Sequence, residues 1–503
     1  MTAPDEAPSR SERERTRRTA AGRRSRGTGG AKGTGGGPRR PAPVERPVAL
    51  TIAASDSGGG AGIQADLKAM AAAGAFGTSV LVATTAQHTR GVESVHVLPA
   101  TEIDAQYAAV RSDFDVGAVK TGMLATAGVI ETVAGYAREL AGPLVVDPVM
   151  VAASGDRLLE PAGEAAYREL IAEATLVTPN ADEAAVLTGV EIEDRASARE
   201  AGRRLVETGV DAALVKGGHV PGDAVRDVLV IGDRDAAEAD AEAADAADGG
   251  SGVEVFEHPR VETGATHGSG CALSSAIAAR LADGDTLEAA VEAGLALVER
   301  AIRYPLDVGE NGAVHHLAGL RDRAAREPTA EAVERVVATL VERDVRPLVP
   351  EVGLNVVGAT PHAERAGETA AVEGRITRTL SGVQPTRGVR FGASSHVARF
   401  LLAAREFDPG LRFAVNCRFD ADVEAALDGL GTVAEYDRSG EPPADESGAG
   451  TMEWGARRAF EACAGTPVAV IDRGAVGKEP MARLVAEDGE ALIERTLALL
   501  DTL

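Results

Sequence analysis

Apolar positions are sparse and unpatterned up to residue 46 and become dense from Val48 onward. Val48–Ala54 reads as a buried strand, followed by the glycine-rich run Ser57–Gly62 and a helical stretch over Gln64–Ala73. Strand and helix patterns then alternate. Strands are predicted over Leu81–Thr85, Gly117–Lys120, Pro143–Asp147, Leu176–Thr178 and Ala212–Lys216, and helices over Ile103–Ser112, Ile130–Leu140, Glu164–Ala174, Ala181–Leu187 and Ser197–Thr208. This rhythm predicts an α/β fold with a central, mostly parallel sheet flanked by helices. Two further strand-like pieces, Asp227–Ile231 and Val253–Glu257, enclose an Ala/Asp/Glu/Gly run, Asp233–Gly252, which reads as an exposed acidic hairpin insertion. Helices follow over Gly270–Ala282 and Leu287–Arg303. Arg321–Glu342 predicts one charged amphipathic helix, and from Gly353 a second, smaller α/β pattern runs to a helix over Ala491–Leu500. The expected organisation is a basic disordered tail (1–46), a first domain (47–322), a helical linker (323–349) and a second domain (350–503).

Composition narrows the classes. Hydrophobic residues make up 44% of the 503, enough for globular cores and against a disordered chain. No apolar run approaches the roughly 18 residues of a membrane helix. Three cysteines and no apolar leader point to a reducing cytoplasm. Lys+Arg number 52 against 77 Asp+Glu, net -25, and only five of the basic residues are lysines: Lys32, Lys68, Lys120, Lys216 and Lys478. The tail holds 12 basic and 5 acidic residues, which leaves 40 basic against 72 acidic in the body. An acid-rich, lysine-poor body is expected of a halophilic protein adapted to high salt, the plainer alternative being an ordinary acidic cytosolic protein. It speaks against nucleic acid as a partner, because phosphates would be repelled.

Candidate chemistry lies at the strand ends and at the glycine turns beside them. Ser57–Gly62 follows a strand and opens a helix, where backbone N–H groups meet polar ligands, yet it lacks the spacing of a P-loop or a dinucleotide fingerprint. Thr266-His-Gly-Ser-Gly-Cys271 opens an Ala-rich helix whose N-terminus suits a phosphate. Cys271 at that position is expected to have a lowered pKa, the alternative being a small buried thiol that packs the helix start. Asp147 ends a strand, where open α/β sheets bind ligands. Asn180-Ala-Asp-Glu183 offers an amide and a carboxylate for Mg²⁺. Lys216, followed by two glycines, is a phosphate partner in a chain that uses lysine rarely.

In this order and spacing the residues 48–316 resemble the hydroxymethylpyrimidine and phosphomethylpyrimidine kinases of thiamine biosynthesis, in the ribokinase-like superfamily. The resemblance is carried by Thr51–Lys68, Lys120-Thr-Gly-Met-Leu124, Asp147-Pro-Val-Met150, Thr178-Pro-Asn-Ala-Asp-Glu183, Lys216-Gly-Gly-His219 and Thr266–Cys271. It implies two successive phosphorylations of the hydroxymethylpyrimidine by ATP with Mg²⁺. It implies Gln87 against the aminopyrimidine edge, with Ala61, Asp66 and Met123 nearby. Cys271 is implied as the base, Gly268, Ser269 and Gly270 as the anion hole beside Lys216, and Asp147, Asn180 and Glu183 as the metal set. One departure is Val308-Gly-Glu-Asn-Gly312: the family's lysine near ATP is absent, and Glu310 stands there. Pyridoxal-type kinase activity is the alternative within the same fold.

The second domain carries Gly374-Arg-Ile-Thr-Arg378, Val389–Arg399 and Asp472–Pro480. Ser394, Ser395 and His396 at a helix start read as an anion site, and Lys478 sits in a glycine-spaced basic turn. Surface ion pairs for Arg375 and Arg378, and a partly buried structural His396, are the plainer alternatives. Residues 350–503 resemble the archaeal-type thiamine-phosphate synthase domain on Gly353-Leu-Asn355, Phe391–Arg399, Asn416-Cys-Arg-Phe419 and Asp472–Met481. The resemblance implies condensation of the pyrimidine diphosphate with thiazole phosphate, releasing diphosphate. Arg375 and His396 would then hold the leaving group, with Ser394, Ser395 and Lys478 as phosphate ligands. The competing reading is a non-catalytic sensor of thiamine phosphates, expected beside a DNA-binding helix-turn-helix rather than a kinase. Small-molecule substrates, a homo-oligomer and no membrane partner complete the expectation.

Overall fold

The computed structural model describes residues 41–150, 159, 163–232, 252–441 and 450–503. Residues 1–40 of the expected tail and 233–251 of the acidic insertion lie outside the described residues; 41–45 carry no helix or strand.

Among the described residues the first domain has ten strands: β1 (Val48–Ala53), β2 (Phe76–Leu81), β3 (Ala83–His88), β4 (Gly91–Val97), β5 (Val116–Thr121), β6 (Leu144–Val146), β7 (Leu176–Val177), β8 (Ala212–Val215), β9 (Ala224–Ile231) and β10 (Val253–Pro259). Eight form one sheet in the order β10-β9-β8-β7-β6-β5-β1-β2. Pairing is parallel from β2 to β8, and the hairpin β9–β10 adds an antiparallel edge. The central strands are continuous runs of Ala, Val and Leu because helices cover both faces. Leu144 and Val146 pack with Tyr167 and Leu170 on one face, while Val145 and Leu214 pack with Leu273 and Ile277 on the other. The run expected as an insertion, Asp233–Gly252, falls in the sequence between two strands that pair antiparallel.

The single strand predicted over Leu81–Thr85 is a correction. The chain leaves the sheet after Leu81, and β3 and β4 pair only with each other as a separate flap.

The second domain holds β11 (Val356–Ala359), β12 (Thr369–Val372), β13 (Ile376–Thr379), β14 (Gly382–Pro385), β15 (Val389–Phe391), β16 (Phe413–Arg418), β17 (Val433–Tyr436), β18 (Ala469–Asp472) and β19 (Met481–Ala486). Its sheet runs β15-β12-β11-β16-β19-β18-β17, antiparallel except for β17–β18, and the hairpin β13–β14 stands apart. The helices Arg326–Glu342 and Gly489–Thr502 cover one face, and His396–Ala404 and Thr451–Glu461 the other.

The helix predicted over Arg321–Glu342 is two, Ala318–Ala324 and Arg326–Glu342. Pro328 is tolerated in the first turn of a helix but not inside one, so the chain restarts at Ala325. The stretch 323–349, read as a linker, buries Val333, Val336, Val337 and Leu340 in the second domain's core.

A polar seam joins the domains. Arg300, near the end of the helix Leu287–Arg303, reaches Glu368 (2.8 Å), Glu364 (3.5 Å) and Asp322 (3.7 Å). Asp322 accepts from Thr360 Oγ1 (2.8 Å) and the His362 amide (2.7 Å). The His362 ring lies 4.6 Å from that of Tyr304 and 5.4 Å from that of His315.

Candidate active sites

In the first domain the candidate residues gather at the C-terminal ends of β1, β5, β6, β7 and β8, where a parallel sheet presents its chain reversals to a ligand. Asp147 follows β6 and is 2% exposed. Its Oδ1 accepts from Lys216 Nζ (3.2 Å) and Thr178 Oγ1 (3.4 Å), and its Oδ2 from Ser274 Oγ (3.5 Å). A Cβ on Gly270 would lie 3.3 Å from Lys216 Nζ, so the lysine's ammonium sits against the first turn of the helix Ser269–Ala282. The first N–H groups of such a helix have no intrahelical acceptor, so an ammonium and free amides share one anion site. Burial opposes the charge on Lys216, but Asp147 and Glu183 hold its pKa above the ordinary value.

Asn180 and Glu183 cap the helix Ala181–Thr188. The Glu183 amide donates to Asn180 Oδ1 and the Asn180 amide to Glu183 Oε2, each at 2.8 Å. Burial pushes the Glu183 carboxyl up, Lys216 pulls it down and Asp147 adds to the rise. Asp147 and Glu183 thus face Lys216 together, while Asn180 serves as a helix cap. Among the described residues no three His, Cys, Asp or Glu side chains form a preformed metal cluster.

Cys271 is part-exposed as a residue, yet burial pushes its thiol up to about 11, with Lys120 pulling the other way and Asp66 and Asp147 adding to the rise. It is no preformed thiolate, contrary to the expectation from its place on the helix. Desolvation outweighs the helix terminus there. The Gly62 amide is a hydrogen-bond donor to Cys271, so the glycine turn and the cysteine meet.

Asp66 is placed differently from its expected contact with substrate. It is fully buried beneath the site, with Lys120 Nζ at 2.8 Å, Thr51 Oγ1 at 2.6 Å and Ser275 Oγ at 2.8 Å. Ala61 is part-exposed in the glycine turn, and Met123 is nearly buried with its carbonyl accepting the Ala54 amide at 3.0 Å. Gln87 lies on the flap, where Thr85 Oγ1 donates to its Oε1 (3.1 Å) and Ser57 ties its backbone to the glycine turn at both N–H (2.8 Å) and C=O (2.7 Å). The flap tip is fastened to the loop Val308–Gly312. Arg90 pairs with Glu310 (3.2 Å), and Thr89 takes the amides of Glu310 and Asn311.

Lys120 went unassigned in the sequence, although its rarity as a lysine was a signal. Asp56 and His267, within Thr51–Lys68 and Thr266–Cys271, have no role in the sequence reading.

In the second domain Asn355 and Asn416 interlock at one end of the sheet: the Asn355 amide donates to Asn416 Oδ1 (2.7 Å) and Asn416 Nδ2 to the Gly353 carbonyl (3.1 Å). Arg375 lies at this end against Gly353, with its guanidinium 3.5 Å from the Gly374 carbonyl. The helix His396–Ala404 follows β15, whose last residue, Phe391, pairs with Ala370. Its Phe400 ring stacks with Arg483, the strand partner of Asn416, while Arg405 after its last turn bonds to the Pro361 and Leu411 carbonyls at the other end. At its start Ser395 Oγ lies 3.2 Å from the Nδ1 of exposed His396. Ser394 Oγ is buried without a partner. Lys478 is already engaged, 3.0 Å from Glu441, which counts against a free phosphate ligand. Arg378 donates to the Val349 carbonyl instead of pairing with a carboxylate. Sequence reasoning missed Arg438 and Arg483, which converge on buried Asp472 with Tyr436.

Residues 56–315 match the family described as phosphomethylpyrimidine kinase, and residues 332–498 match thiamine-phosphate synthase ThiN. The hydroxymethylpyrimidine/phosphomethylpyrimidine kinase of Streptomyces coelicolor is 44% identical over 277 residues, 54% of this chain and 96% of that protein. The thiamine biosynthetic bifunctional enzyme TH1 of Arabidopsis thaliana is 42% identical over 282 residues, 55% of this chain and 51% of its own length. The ADP complex of Bacillus subtilis pyridoxal kinase is 31% identical and covers 55% of this chain and 99% of that one, with a TM-score of 0.48.

Proposed function

The chain belongs to the phosphomethylpyrimidine kinase family, and on that premise we propose that it makes thiamine phosphate in three steps. Its first domain phosphorylates 4-amino-5-hydroxymethyl-2-methylpyrimidine twice from ATP. Its second condenses the diphosphate with 4-methyl-5-(2-phosphoethyl)thiazole and releases diphosphate. We assign all three steps to the cytoplasm, where the free cysteines Cys271, Cys417 and Cys463 stay reduced. The observation that carries the kinase reading is the meeting of Lys216, Asp147 and the first turn of Ser269–Ala282 at one point.

In this reading Gln87 and the glycine turn hold the pyrimidine, and its hydroxymethyl group points to Cys271. Lys216 and the amides of Gly268–Cys271 take up charge on the phosphoryl group in transfer. A nucleotide-borne Mg²⁺ fits the donors present. Asp147 and Glu183 supply carboxylates beside Lys216, and Mg²⁺ uses one or two protein carboxylates plus substrate phosphates. When bound it would neutralise phosphate charge. Because phosphoryl transfer is loose, the hydroxyl proton leaves late, and a protonated Cys271 serves first to orient that oxygen. In the second domain Arg375, His396 and the unpartnered Ser394 hydroxyl receive the departing diphosphate.

The test is to incubate the pure protein with hydroxymethylpyrimidine, MgATP and thiazole phosphate at high salt. Thiamine phosphate is the expected product. Binding of thiamine phosphate without its formation would favour a sensing second domain.

A further inference from the structure

The glycine turn after β1 and the turn that opens the helix Ser269–Ala282 lie more than 200 residues apart in sequence, yet they are pinned together. Asp56 is 1% exposed and is surrounded by donors. Its Oδ1 accepts from the Gly58 amide (2.8 Å), and its Oδ2 from the amides of Gly60 (3.0 Å) and Ala61 (2.7 Å) and from His267 Nε2 (3.1 Å). Three of the four donors belong to the turn that Asp56 itself begins. The fourth comes from the other turn.

Sterics fix the same contact. A Cβ on Gly60 would fall 2.6 Å from His267 Cδ2, and one on Gly268 would fall 1.8 Å from the Gly60 carbonyl oxygen. Gly268 also has φ +85°, a left-handed conformation that glycine alone adopts without strain. The imidazole is thus wedged on one side by a backbone that leaves no space and tied on the other to a buried carboxylate. Residue 268, next in the chain, caps the helix whose first amides face Lys216.

We propose that His267 is a positioning residue for phosphoryl transfer: through Asp56 it sets the height of the anion-binding turn against the turn that holds the acceptor. This rests on the kinase reading above but assigns a residue to which that reading gives no role. It also predicts an asymmetry. The acceptor turn keeps its three amide bonds to Asp56 when His267 is removed, whereas the anion-binding turn loses its tie to that carboxylate. Turnover is then affected and acceptor binding is not.

The experiment compares His267→Ala, His267→Gln and wild type in steady-state phosphorylation of the hydroxymethylpyrimidine, with amide hydrogen exchange on the same proteins. His267→Ala is expected to lower kcat by about 10²-fold, the scale of an ångström-sized misplacement, with the pyrimidine KM within about twofold. His267→Gln, whose amide still donates toward Asp56, is expected to recover most of that loss. Exchange is expected to quicken over 263–271 in the Ala variant and stay slow over 56–62. An Ala variant with wild-type kcat overturns the proposal, as does a loss that falls on KM or that Gln does not relieve. If wild type does not phosphorylate the pyrimidine, the kinase reading fails, and the exchange pattern alone decides this one: unchanged protection over 263–271 overturns it.

Discussion

The fully buried pair Lys120–Asp66 gives the sharpest test of how the kinase site is built. Both side chains are 0% exposed and the ammonium lies 2.8 Å from Oδ1. Lys120→Met would leave the Asp66 carboxylate with two hydroxyl donors, Thr51 and Ser275, and no countercharge. An uncompensated buried charge costs about 3–5 kcal/mol. At about 2–4 °C per kcal/mol for a domain of this size, the kinase transition should drop by roughly 10 °C. The pH signature follows from the signs. In wild type, burial lowers the Lys120 pKa but Asp66 lifts it above the ordinary lysine value, so the pair's stabilisation persists through neutral pH and is lost only as pH rises through that raised value. In Lys120→Met the lone carboxylate gains from protonation, so the variant should recover stability as pH falls from 7 to 5. The double variant Lys120→Met/Asp66→Asn should recover most of the loss at pH 7. Calorimetry at pH 5, 6 and 7 reads all of this. A Lys120→Met loss below about 1 kcal/mol would refute the reasoning. So would an Asp66→Asn variant that keeps its stability but binds pyrimidine poorly, which would make Asp66 a substrate ligand after all.

Three further outcomes are expected. Cys271→Ala should lower turnover of both phosphorylations by about 10²-fold, the scale of lost orientation, with the thermal transition unchanged, and a variant with full turnover in both assays removes Cys271 from the reaction. Burial, with help from Lys68, His315 and His267, holds His316 down at about 4, so the unfolded chain protonates first as pH falls below 6.5. Urea titrations should therefore show stability present above pH 6.5 and reduced by about 1 kcal/mol at pH 5.5 on account of His316, and His316→Gln should remove that share while leaving the part owed to His315 and His362, which burial also holds down. Arg375→Ala and His396→Ala should each cut thiamine phosphate formation from supplied pyrimidine diphosphate by about 10²–10³-fold while sparing the kinase, and single-turnover coupling measures both.

Much of the kinase domain was legible because β6, β7 and β8 are short and wholly apolar and Asp147 and Lys216 fall just past the ends of β6 and β8. Asp147 and Lys216 could be paired on that ground alone. Burial depth was not legible. Asp66 stands in a motif like any ligand, and only the fold shows Lys120 and two hydroxyls spending its lone pairs. The thiol of Cys271 was misjudged for the same reason: a helix start is visible in sequence, and the desolvation that outweighs it is not. The flap was missed because β2 and β3 form one unbroken β-prone run, and the chain's departure from the sheet after Leu81 leaves no polar mark. In the second domain, antiparallel pairs and the hairpin β13–β14 hide among Arg and Thr residues, so Arg375 could be picked by type but not placed.

The seam around Arg300 bears on how such chains recombine. A kinase lobe exchanged for a homologous one would have to bring a cation at the end of its last long helix. Without it, Glu364 and Glu368 of the recipient face each other with one guanidinium fewer between them. A boundary cut after residue 322 would sever Asp322 from Thr360 and the His362 amide and strand each half with polar groups the other had satisfied. Lobe swapping here is therefore a matter of matching a lock of charges as well as a linker, and chimaeras that keep residues 300–368 from one parent should assemble where others do not.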